Sequence, residues 1–471
     1  MLDLSPLHLK IFKTIGNASD AINQKTYVIG GYVRDYYLKR LNADEITDID
    51  FVTVGSGIKL AESVAKELNS TKVAVYKQFG TAQVRYNDID LEFVGARKES
   101  YRRNSRKPIV EDGTLKDDQM RRDLTINALS WSLNSDTFGV LHDPFGGIQD
   151  LKDKVIRTPI DPEKTFDDDP LRMMRAIRFA TQLHFSITED TFLAIKKMAP
   201  RMKIISKERI IEELNKIVLS DKPSRGFSML LEAGLLDYIF PEMVNLLGVD
   251  EMEGQRHKDN FWHTLEVLDN VAEVSDNLWL RWAAIMHDIA KPPTKRFKKD
   301  TGWTFHGHDA LGAKWTPKIF RRLGLPLDER MRYVQKLVRL HLRPIALVSE
   351  EVSDSAIRRL IYEAGDEIED LMTLCRADIT SKNEYKVKKF LKNFDKVENK
   401  IKEVERKDKI RNWKNPVTGN EIMQALHLKP GPLVGKVKED IKEAIMEGDI
   451  PNDHDAAIDY MMKNKNKYLK G

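Results

Sequence analysis

The sequence predicts an α/β domain at the N-terminus, followed by all-α segments. Between residues 27 and 97, a strand pattern (TYVIGG) ends in a glycine pair and a helical pattern (VRDYYLKRL) follows. Two further stretches, DIDFVTVG and QVRYNDIDLEFVGAR, alternate as strands do. This mixture is typical of an α/β domain. From about residue 160 the helical period dominates, and DDDPLRMMRAIRFATQLHF opens with acidic residues and a proline that favour a helix start.

Three segments lie between these regions. Residues 100–118 are polar, contain Pro108 and Gly113, and are predicted to form a loop. The following segment, RRDLTINALSWSL, is predicted to form a helix. Residues 248–260 carry glycine and histidine and are predicted to be a linker.

Composition narrows the class of protein. The chain has 471 residues, 77 Lys and Arg against 73 Asp and Glu, and 41% apolar residues, which is ample for several packed cores. A single cysteine, Cys375, excludes an internal disulfide. No apolar run reaches the roughly 18–20 residues that span a bilayer, and the first residues lack the basic and apolar blocks of a signal peptide. We therefore expect a multidomain cytoplasmic protein that contacts no membrane.

Two acidic residues suggest a cation site. Asp48 and Asp50 flank Ile49 in a strand pattern, so both carboxylates lie on one face. Such a pair suits Mg²⁺ and in-line phosphoryl transfer. A third carboxylate is expected on a neighbouring strand, where Asp88, Asp90 and Glu92 share one face and spacing does not choose among them. The alternative is that the aspartates are solvated residues at a strand edge.

A glycine pair strengthens the first interpretation. Gly30 and Gly31 lie between a strand and a helix, 18 residues before Asp48. Glycines at such a junction let backbone N–H groups approach a phosphate, and the helix N-terminus adds positive potential. Arg34 lies in the first turn of that helix and can reach the same phosphates. An ordinary turn is the alternative.

A second pair suggests base recognition. Asp169 and Arg172 are three residues apart, a spacing that places side chains together on one side of a helix. A carboxylate facing an amino group and an arginine facing a ring nitrogen accept cytosine and adenine and reject guanine and uracil. The alternative is that Asp167–Asp169 cap the helix and that Arg172, Arg175 and Arg178 are surface residues.

Histidines and aspartates recur along the helical region. Imidazole and carboxylate ligands together suit a divalent transition metal. Isolated histidines are more often core or surface residues, but six such groups suggest a metal site: His263, His287, Asp288, His308, His341 and Asp378.

A basic segment follows. Residues 382–414 contain 13 Lys and Arg and 6 Asp and Glu, with Tyr385, Phe390, Phe394 and Trp413 interleaved. A net charge of +7 suits contact with nucleic-acid phosphates, although a solvated helix face is the alternative.

Several motifs resemble those of class II tRNA nucleotidyltransferases, the family of CCA-adding enzymes and bacterial poly(A) polymerases. Residues 30–35 (GGYVRD) with Asp48-Ile49-Asp50 resemble the GGxVRD…DxD motif, and residues 121–128 (RRDLTINA) resemble RRDxTINA. Residues 143–151 (DPFGGIQDL) resemble DPxGGxxDL. Residues 417–450 resemble the family's GxDLxxxGxxPGPxIG tail segment. The resemblance implies a polymerase-beta-like nucleotidyltransferase head followed by helical neck, HD, body and tail segments.

The resemblance also implies roles for individual residues. Asp48 and Asp50 hold Mg²⁺, and Glu92 is the third carboxylate because residues 91–97 (LEFVGAR) resemble the family strand xEVATFR. The residues at Asp169–Arg172 match the family's EDxxR motif, with Asp168 in place of its glutamate. The nucleotide-binding residues implied are Gly30, Gly31, Arg34, Arg122, Asp123, Asn127, Asp169, Arg172, Arg175 and Arg178.

The histidine-rich region resembles the HD superfamily of metal-dependent phosphohydrolases. The resemblance implies a core site of His263, His287, Asp288 and Asp378, with His308 and His341 at positions that hold a second ion. The expected division is a nucleotidyltransferase head (1–155), a base-selecting neck (156–247), an HD domain (248–385) and a tRNA-binding body and tail (386–471).

The expected function is addition or repair of the 3′-terminal CCA of tRNA from CTP and ATP, with Mg²⁺ as cofactor and pyrophosphate released. The expected RNA contacts are the acceptor arm and elbow of tRNA. Within the same class, a poly(A) polymerase and a split-function A-adding or CC-adding enzyme remain alternatives. From a different class, the alternative is an HD phosphohydrolase with a degenerate head.

Overall fold

The computed structural model describes residues 2–70, 73–77, 80–100, 109–256, 258–348, 353–380, 384–408, 410–411 and 413–469. The chain forms two compact units, residues 1–241 and 242–471. Among the described residues, no helix is both long and apolar enough to cross a membrane.

The first half of unit 1 is an α/β domain. Its elements are α1 (Pro6–Ala21), β1 (Lys25–Ile29), α2 (Gly31–Tyr37), β2 (Asp48–Val54), α3 (Gly57–Glu67), β3 (Val73–Tyr76), β4 (Thr81–Tyr86), β5 (Ile89–Gly95), β6 (Arg97–Ser100), β7 (Ile109–Asp112), α4 (Leu115–Met120), β8 (Ser130–Ser132), β9 (Leu141–His142) and α5 (Gly147–Asp153). Seven strands form one sheet in the order β3-β4-β5-β2-β1-β8-β9. Strands β2 and β5 run parallel at its centre. The predicted α/β class is therefore confirmed.

The two faces of this sheet differ. On β4 and β5, alternate residues Ala82, Val84, Leu91 and Phe93 are fully buried, and helix α3 packs against both strands. The residues between them point to the other face, where β2 begins with Asp48 and Asp50. Alternation in the sequence thus separates a packed face from a polar face.

Two local predictions were wrong. Residues 121–133 form a 3₁₀ turn at Thr125–Asn127 and strand β8, not a helix. Residues 100–118 are not all loop, because the hairpin β6–β7 and helix α4 occupy most of the described part. The stretch 101–108 lies outside the described residues.

The second half of unit 1 is helical. Its elements are β10 (Val155–Ile156), α6 (Pro162–Asp168), α7 (Leu171–Leu183), β11 (Ser186–Ile187), α8 (Glu189–Met198), α9 (Lys207–Val218), α10 (Pro223–Glu232) and α11 (Leu236–Ile239), and α12 (Pro241–Val244) crosses the boundary. Helix α7 packs against α9 and α10 around buried Met173, Ile177 and Leu214.

Unit 2 is almost entirely helical. Its elements are β12 (Glu251–Met252), β13 (Gln255–Arg256), α13 (Asn260–Ala272), α14 (Leu278–Met286), α15 (Lys291–Thr294), β14 (Arg296–Lys298), β15 (Gly302–Thr304), α16 (His308–Leu323), α17 (Glu329–Leu340), α18 (Leu342–Val348), α19 (Asp354–Ala364), α20 (Ile368–Asp378), α21 (Glu384–Asp408), α22 (Gly419–Leu426), α23 (Pro432–Glu447), α24 (His454–Lys463) and α25 (Lys465–Leu469). Helices α13, α14, α17 and α20 pack against one another. The predicted linker at 248–260 contains the short hairpin β12–β13.

Candidate active site and metal centre

The parallel pair β2–β5 brings acidic residues together on the polar face. Asp48 pairs with Asp90 and Asp50 pairs with Glu92. Adjacent strands lie about 4.8 Å apart, so paired side chains on one face are neighbours. The sheet therefore presents a cluster of four carboxylates, as the i, i+2 spacing on each strand predicts.

Contacts distinguish the three candidates for the third carboxylate. Asp88 lies in the turn before β5 and its side chain is fully exposed. Asp90 forms an ion pair with Arg85 on β4, with Nη1 and Oδ2 2.8 Å apart. Glu92 is directly beside Asp50, and it forms no ion pair with any other described residue. This arrangement favours Glu92 as the partner of Asp48 and Asp50.

The pKa values of Asp50 and Glu92 are both shifted by their position in this carboxylate cluster. Burial raises the pKa of Asp50; Arg122 lowers it, and Asp48 and Asp118 raise it further. Burial, together with Asp50 and Asp48, also raises the pKa of Glu92. Repulsion among these carboxylates is relieved by a bound divalent cation, and oxygen ligands suit Mg²⁺. The residues present therefore fit a magnesium site.

The glycine pair lies against this cluster. Gly30 has φ +83°, a conformation that favours glycine, and helix α2 begins at the next residue. A Cβ at Gly30 would lie 3.1 Å from Nη1 of Arg122 and 3.8 Å from Oδ2 of Asp50. A cavity of about 310 Å³ is lined by Gly31, Arg34, Asp48 and Asp50, among others. The absence of a side chain at Gly30 thus keeps the space between the carboxylate cluster and Arg122 open.

A network of hydrogen bonds joins four predicted nucleotide-binding residues. Arg34 donates from Nη1 to Oδ1 of Asn127 at 2.7 Å, and Asn127 donates to Oδ1 of Asp123 at 3.1 Å. Nε of Arg175 donates to Oδ2 of Asp123 at 2.7 Å. Burial raises the pKa of Asp123, but Arg175 and Asn127 outweigh burial and hold the pKa at about 2. Asp123 is therefore ionised and fixes Arg175 in place.

Phe179 and Glu213 anchor the arginines of α7. The guanidinium groups of Arg34, Arg175 and Arg178 lie 4.8, 5.6 and 4.0 Å from the centre of the Phe179 ring. Buried Glu213 lies 2.7 Å from Nε of Arg178 and 3.6 Å from Nη1 of Arg175. The sequence analysis did not select Glu213, although its position on the buried face of an amphipathic helix was a signal.

The Asp169–Arg172 pair differs from its predicted geometry. Asp169 is extended (φ −144°, ψ 102°) and lies between α6 and α7, so the two residues do not share a helix. Oδ2 of Asp169 accepts from Nη2 of Arg209 at 2.7 Å, and Oδ1 accepts from the N–H of Leu171 at 3.1 Å. Arg172 donates instead to the Thr165 carbonyl at 3.3 Å. The turn at Pro170 ends the helical repeat on which the i, i+3 argument depended.

The acidic residues before Asp169 also lie elsewhere than the helix-cap interpretation of the sequence predicts. Asp167 and Asp168 end α6 rather than opening the next helix. Arg201 forms an ion pair with Asp167 at 2.8 Å. The acidic run therefore terminates one helix and precedes the next.

A buried aspartate missed by the sequence analysis holds Arg122. Asp118 is fully buried, and Nε of Arg122 donates to its Oδ2 at 3.3 Å. Oδ1 of Asp118 accepts from Nη2 of Arg121 at 2.6 Å. The four-residue spacing of Asp118 and Arg122 was the available signal.

In unit 2 the six predicted ligands converge. His263, His287 and Asp378 form one group of potential metal ligands, and Asp288, His308 and His341 form a second, with ligand atoms within 4.8 Å of one another in each group. The ligands come from five helices or the residues directly after them. His263 lies on α13, His287 and Asp288 follow α14, His308 begins α16, His341 follows α17 and Asp378 ends α20.

Asp288 lies between the two groups. Its Oδ2 is 3.1 Å from Nε2 of His287 and 3.5 Å from Nε2 of His263. Its Oδ1 is 3.2 Å from Nε2 of His308 and 3.9 Å from Nε2 of His341. Nζ of Lys291 is 2.5 Å from Oδ2. One carboxylate thus faces both groups with separate oxygens.

The donor atoms fit a divalent transition metal. Nε2 of His287 and Oδ2 of Asp288 are buried and, within the described chain, make no hydrogen bond of good geometry. Burial lowers the pKa of His287, but Asp288 and Asp378 outweigh burial and raise it to about 10. Burial and the charge of His287 lower the pKa of His341 to about 4. A divalent transition metal binds well to this combination of nitrogen and oxygen ligands in an anionic pocket.

The basic C-terminal segment is largely the long helix α21. Tyr385 is 78% exposed and Phe390 is 41% exposed, so both rings are accessible for stacking. Phe394 is fully buried, and Trp413 donates to Oδ1 of Asn452. Two of the four aromatic residues therefore belong to the packed structure rather than to a binding surface.

Models of three known protein families match consecutive parts of the chain. The model of the poly(A) polymerase head domain matches residues 26–157, which include the carboxylate cluster and Gly30. The model described as the probable RNA and SrmB-binding site of polymerase A matches residues 184–247. The HD domain model matches residues 260–399, which hold all six histidine and aspartate ligands.

Curated relatives decide the family. An A-adding tRNA nucleotidyltransferase of Deinococcus radiodurans is 33% identical over 355 residues, 73% of this chain and 78% of that protein. The chain belongs to the tRNA nucleotidyltransferase family. A multifunctional CCA protein of Shewanella frigidimarina is 32% identical over 313 residues, 65% of this chain and 71% of that protein. The match to an Aquifex aeolicus A-adding tRNA nucleotidyltransferase is 31% identical and covers 44% of that longer protein.

Solved structures of this family share the fold. A CCA-adding enzyme, described as apo form I, superposes with a TM-score of 0.66 at 22% identity and covers 98% of this chain and 95% of its own. As a member of the tRNA nucleotidyltransferase family, the chain carries the polymerase head and an HD domain in the order that the motifs predict. The four segment boundaries and the roles of individual residues stay predictions.

Proposed function

We propose that this chain adds nucleotides to the 3′ end of tRNA, and that it adds or repairs CCA with CTP and ATP. The observation that carries the proposal is the paired register of Asp50 with Glu92, beside Asp48 and the Gly30 turn. Family membership supports the reaction class, and the curated relatives include multifunctional CCA proteins.

The head residues divide the work of nucleotidyl transfer. Asp48, Asp50 and Glu92 would hold Mg²⁺, which would supply positive charge at the reacting 3′-hydroxyl and the triphosphate. The backbone at Gly30 and Gly31 approaches the phosphates, and Arg122 adds a donor there. The RNA 3′-oxygen bonds to the α-phosphorus as the bond to the pyrophosphate oxygen breaks. Arg34 and Asp123, joined through Asn127, fix the position of the nucleotide.

The neck residues select the base. Asp169 accepts a hydrogen bond from the exocyclic amino group of cytosine or adenine, and Arg172 donates to the adjacent ring nitrogen. Arg209 holds the Asp169 carboxylate, so the acceptor is fixed before the nucleotide arrives. Arg175 and Arg178 contact nucleotide phosphate or base. A mismatched base leaves buried polar groups unpaired, at a cost of roughly 1–3 kcal/mol each.

The C-terminal segments hold the RNA. Helix α21 carries basic residues with exposed Tyr385 and Phe390, which suits contact with phosphates and stacking on unpaired bases. Helix α23 begins after Gly431 and presents backbone N–H groups at its start. These features support recognition of the acceptor arm and elbow of tRNA by shape and phosphate contacts.

The HD residues support an accessory phosphohydrolase. His263, His287, Asp288 and Asp378 would hold a divalent transition metal, and His308 and His341 would hold a second ion. Such a metal would lower the pKa of a water molecule bound to it to about 7. Lys291, at 2.5 Å from Asp288, orients the carboxylate that faces both groups.

One assay tests the main proposal. The purified chain is incubated with Mg²⁺ and either tRNA lacking its last three nucleotides or tRNA ending in CC. Each labelled NTP is supplied separately, and CTP and ATP are supplied together, and product ends are sequenced. Addition of CCA supports the proposal. A chain that does not extend any truncated tRNA contradicts it.

A second candidate is an A-adding enzyme. The observation that favours it is the match to A-adding tRNA nucleotidyltransferases, one of which covers 73% of this chain. This enzyme extends tRNA that ends in CC with a single A and leaves tRNA without CC unchanged. In the same assay a CC-adding enzyme stops before A, and a poly(A) polymerase adds A repeatedly. The complete carboxylate cluster argues against an HD phosphohydrolase with a degenerate head.

A further inference from the structure

Three imidazoles in the HD cluster are oriented by backbone carbonyl groups close by in the chain. In each, Nδ1 lies 2.7 Å from the backbone carbonyl oxygen three residues earlier in the chain. A carbonyl oxygen only accepts, so Nδ1 carries the proton and Nε2 presents a lone pair to the cluster when the ring is neutral. The pairs are His287 with Ala284, His308 with Phe305, and His341 with Val338.

His263 is held differently. Its Nδ1 lies 2.8 Å from Oγ1 of Thr380, and both side chains are largely buried. A hydroxyl can accept from Nδ1–H or donate to a bare Nδ1. Nε2 of His263 lies 2.9 Å from Oδ1 of Asp378, an oxygen that can accept a hydrogen bond from Nε2–H. The partner of His263 therefore permits both ring tautomers, whereas a carbonyl permits one.

Lys258 fixes the threonine. Its Nζ donates to Oγ1 of Thr380 at 2.9 Å and also to the Thr380 carbonyl oxygen. An ammonium group has three donors and no acceptor, so the direction of these bonds is certain. Thr380 follows the predicted ligand Asp378 by two residues, and Lys258 precedes the predicted ligand His263 by five. The contact thus ties together the chain segments that carry two ligands.

We propose that Thr380, held by Lys258, is a positioning residue that sets the orientation and tautomer of His263. In the metal-free protein Thr380 donates to Nδ1 and Nε2–H donates to Asp378. With Nε2 free to ligate a divalent metal, the ring proton would lie on Nδ1, and Oγ1 of Thr380 would accept a hydrogen bond from Nδ1–H. The inference rests on the proposed metal role of the HD cluster, and it makes His263 the ligand whose proton changes place on binding.

Metal affinity is the first test. Full-length protein is titrated with Mn²⁺ by calorimetry, comparing wild type with Thr380→Val, Thr380→Ser and Lys258→Met. Outer partners of ligating histidines typically contribute about 10–100-fold in metal affinity. We expect a loss of that size in Thr380→Val, a smaller loss in Lys258→Met, and near-normal affinity in Thr380→Ser, which keeps the hydroxyl.

The possible results distinguish failure of the metal centre from failure of the positioning role of Thr380. Wild type that binds no Mn²⁺ with the HD ligands, as judged by His287→Ala, overturns the metal centre itself. Wild type that binds and Thr380→Val that binds equally well overturn the positioning role alone. Nucleotide incorporation by the head and the melting temperature serve as controls for folding.

The tautomer is the second test, and it does not depend on activity. Imidazole ¹⁵N shifts of histidine-labelled protein are recorded before and after Zn²⁺, with His263→Gln used to assign the resonances. We expect the His263 proton on Nε2 before Zn²⁺ and on Nδ1 after it, whereas His308 and His341 keep a proton on Nδ1 throughout. A His263 ring that holds its proton on Nδ1 alone before Zn²⁺ contradicts the proposal.

Discussion

Asp50 shows how a residue suited to a cation lowers the stability of the protein without one. Burial and the nearby Asp48 raise its pKa in the folded chain. A carboxyl group whose pKa is raised on folding destabilises the folded state above that pKa, and the penalty disappears as the pH falls through it. Function and stability therefore oppose each other at this residue.

Asp50→Asn is expected to separate the two effects. Incorporation of nucleotides falls on the order of 10²–10³-fold, because one preorganised charge is lost from the transition state. Without Mg²⁺ the melting temperature rises at pH 8, and the rise shrinks as the pH is lowered. Calorimetry across pH and a primer-extension assay measure both. A variant that is inactive but less stable than wild type at pH 8 would contradict the electrostatic account.

Arg172→Ala tests base selection. Removal of the donor is expected to cost about 1–3 kcal/mol of discrimination, so kcat/KM for UTP and GTP rises relative to CTP and ATP. Arg201→Ala is the matched control, since Arg201 binds the neighbouring Asp167 and not Asp169. Equal nucleotide ratios in both variants would remove Arg172 from the selection of the base.

Residue spacing predicts partners only where the local structure is regular. Asp48 and Asp50 were recognised because a strand repeats every two residues. The partner of Asp169 was not, because Arg209 lies 40 residues away and reaches it through the packing of α9 near α7. The same reason hid Thr380, which lies 117 residues from His263.

At the scale of elements, strand register decides which carboxylate joins the cluster. Asp88, Asp90 and Glu92 occupy alternate positions in the sequence and look equivalent there, although only Asp90 and Glu92 lie on β5. Pairing with β2 and β4 separates them, because Asp90 faces Arg85 and Glu92 faces Asp50. Register depends on long-range pairing, which a single sequence does not display.

The register makes a testable distinction. Glu92→Gln is expected to lower incorporation on the order of 10²–10³-fold, whereas Asp90→Asn loses only an exposed ion pair and stays within a few-fold of wild type. Single-turnover rates at saturating Mg²⁺ measure both. The reverse order of effects would assign the third ligand to Asp90.

The segment at 121–133 was predicted as a helix because its apolar residues suit that period. Tertiary contacts override the pattern: Thr125 donates to buried Asp150 at 2.6 Å, and Asp123 binds Arg175. Strand β8 then pairs with β1 in the sheet. Polar partners far along the chain thus replace the helical hydrogen bonds.

At the scale of the whole molecule, the order of motifs was sufficient to predict the class of each region. The α/β head and the HD domain are confirmed by the fold and by the family models. Unit 1 contains the paired carboxylates Asp50 and Glu92, and unit 2 contains both groups of histidine and aspartate ligands. The two activities should therefore respond to different substitutions.

His287→Ala is expected to abolish Mn²⁺-dependent hydrolysis of bis(p-nitrophenyl) phosphate while nucleotide incorporation stays near wild type. His306→Ala is the matched control, because His306 lies close in sequence to His308 but outside both ligand groups. Both reactions are measured on the same preparations. Hydrolysis that survives in His287→Ala would indicate a different site.

The carbonyl oxygens against His287 and His341 belong to helices α14 and α17, and the one against His308 belongs to the turn before α16. Backbone hydrogen bonds hold these helices and this turn, and such bonds need no ion. The ligand shell is consequently assembled by folding itself, unlike a zinc finger, whose chain is unfolded until it is loaded. Chelation should therefore leave the far-ultraviolet circular dichroism of the protein unchanged. When the ion is added back, hydrolysis should recover at the rate at which the ion diffuses in and exchanges its water ligands, without a refolding step.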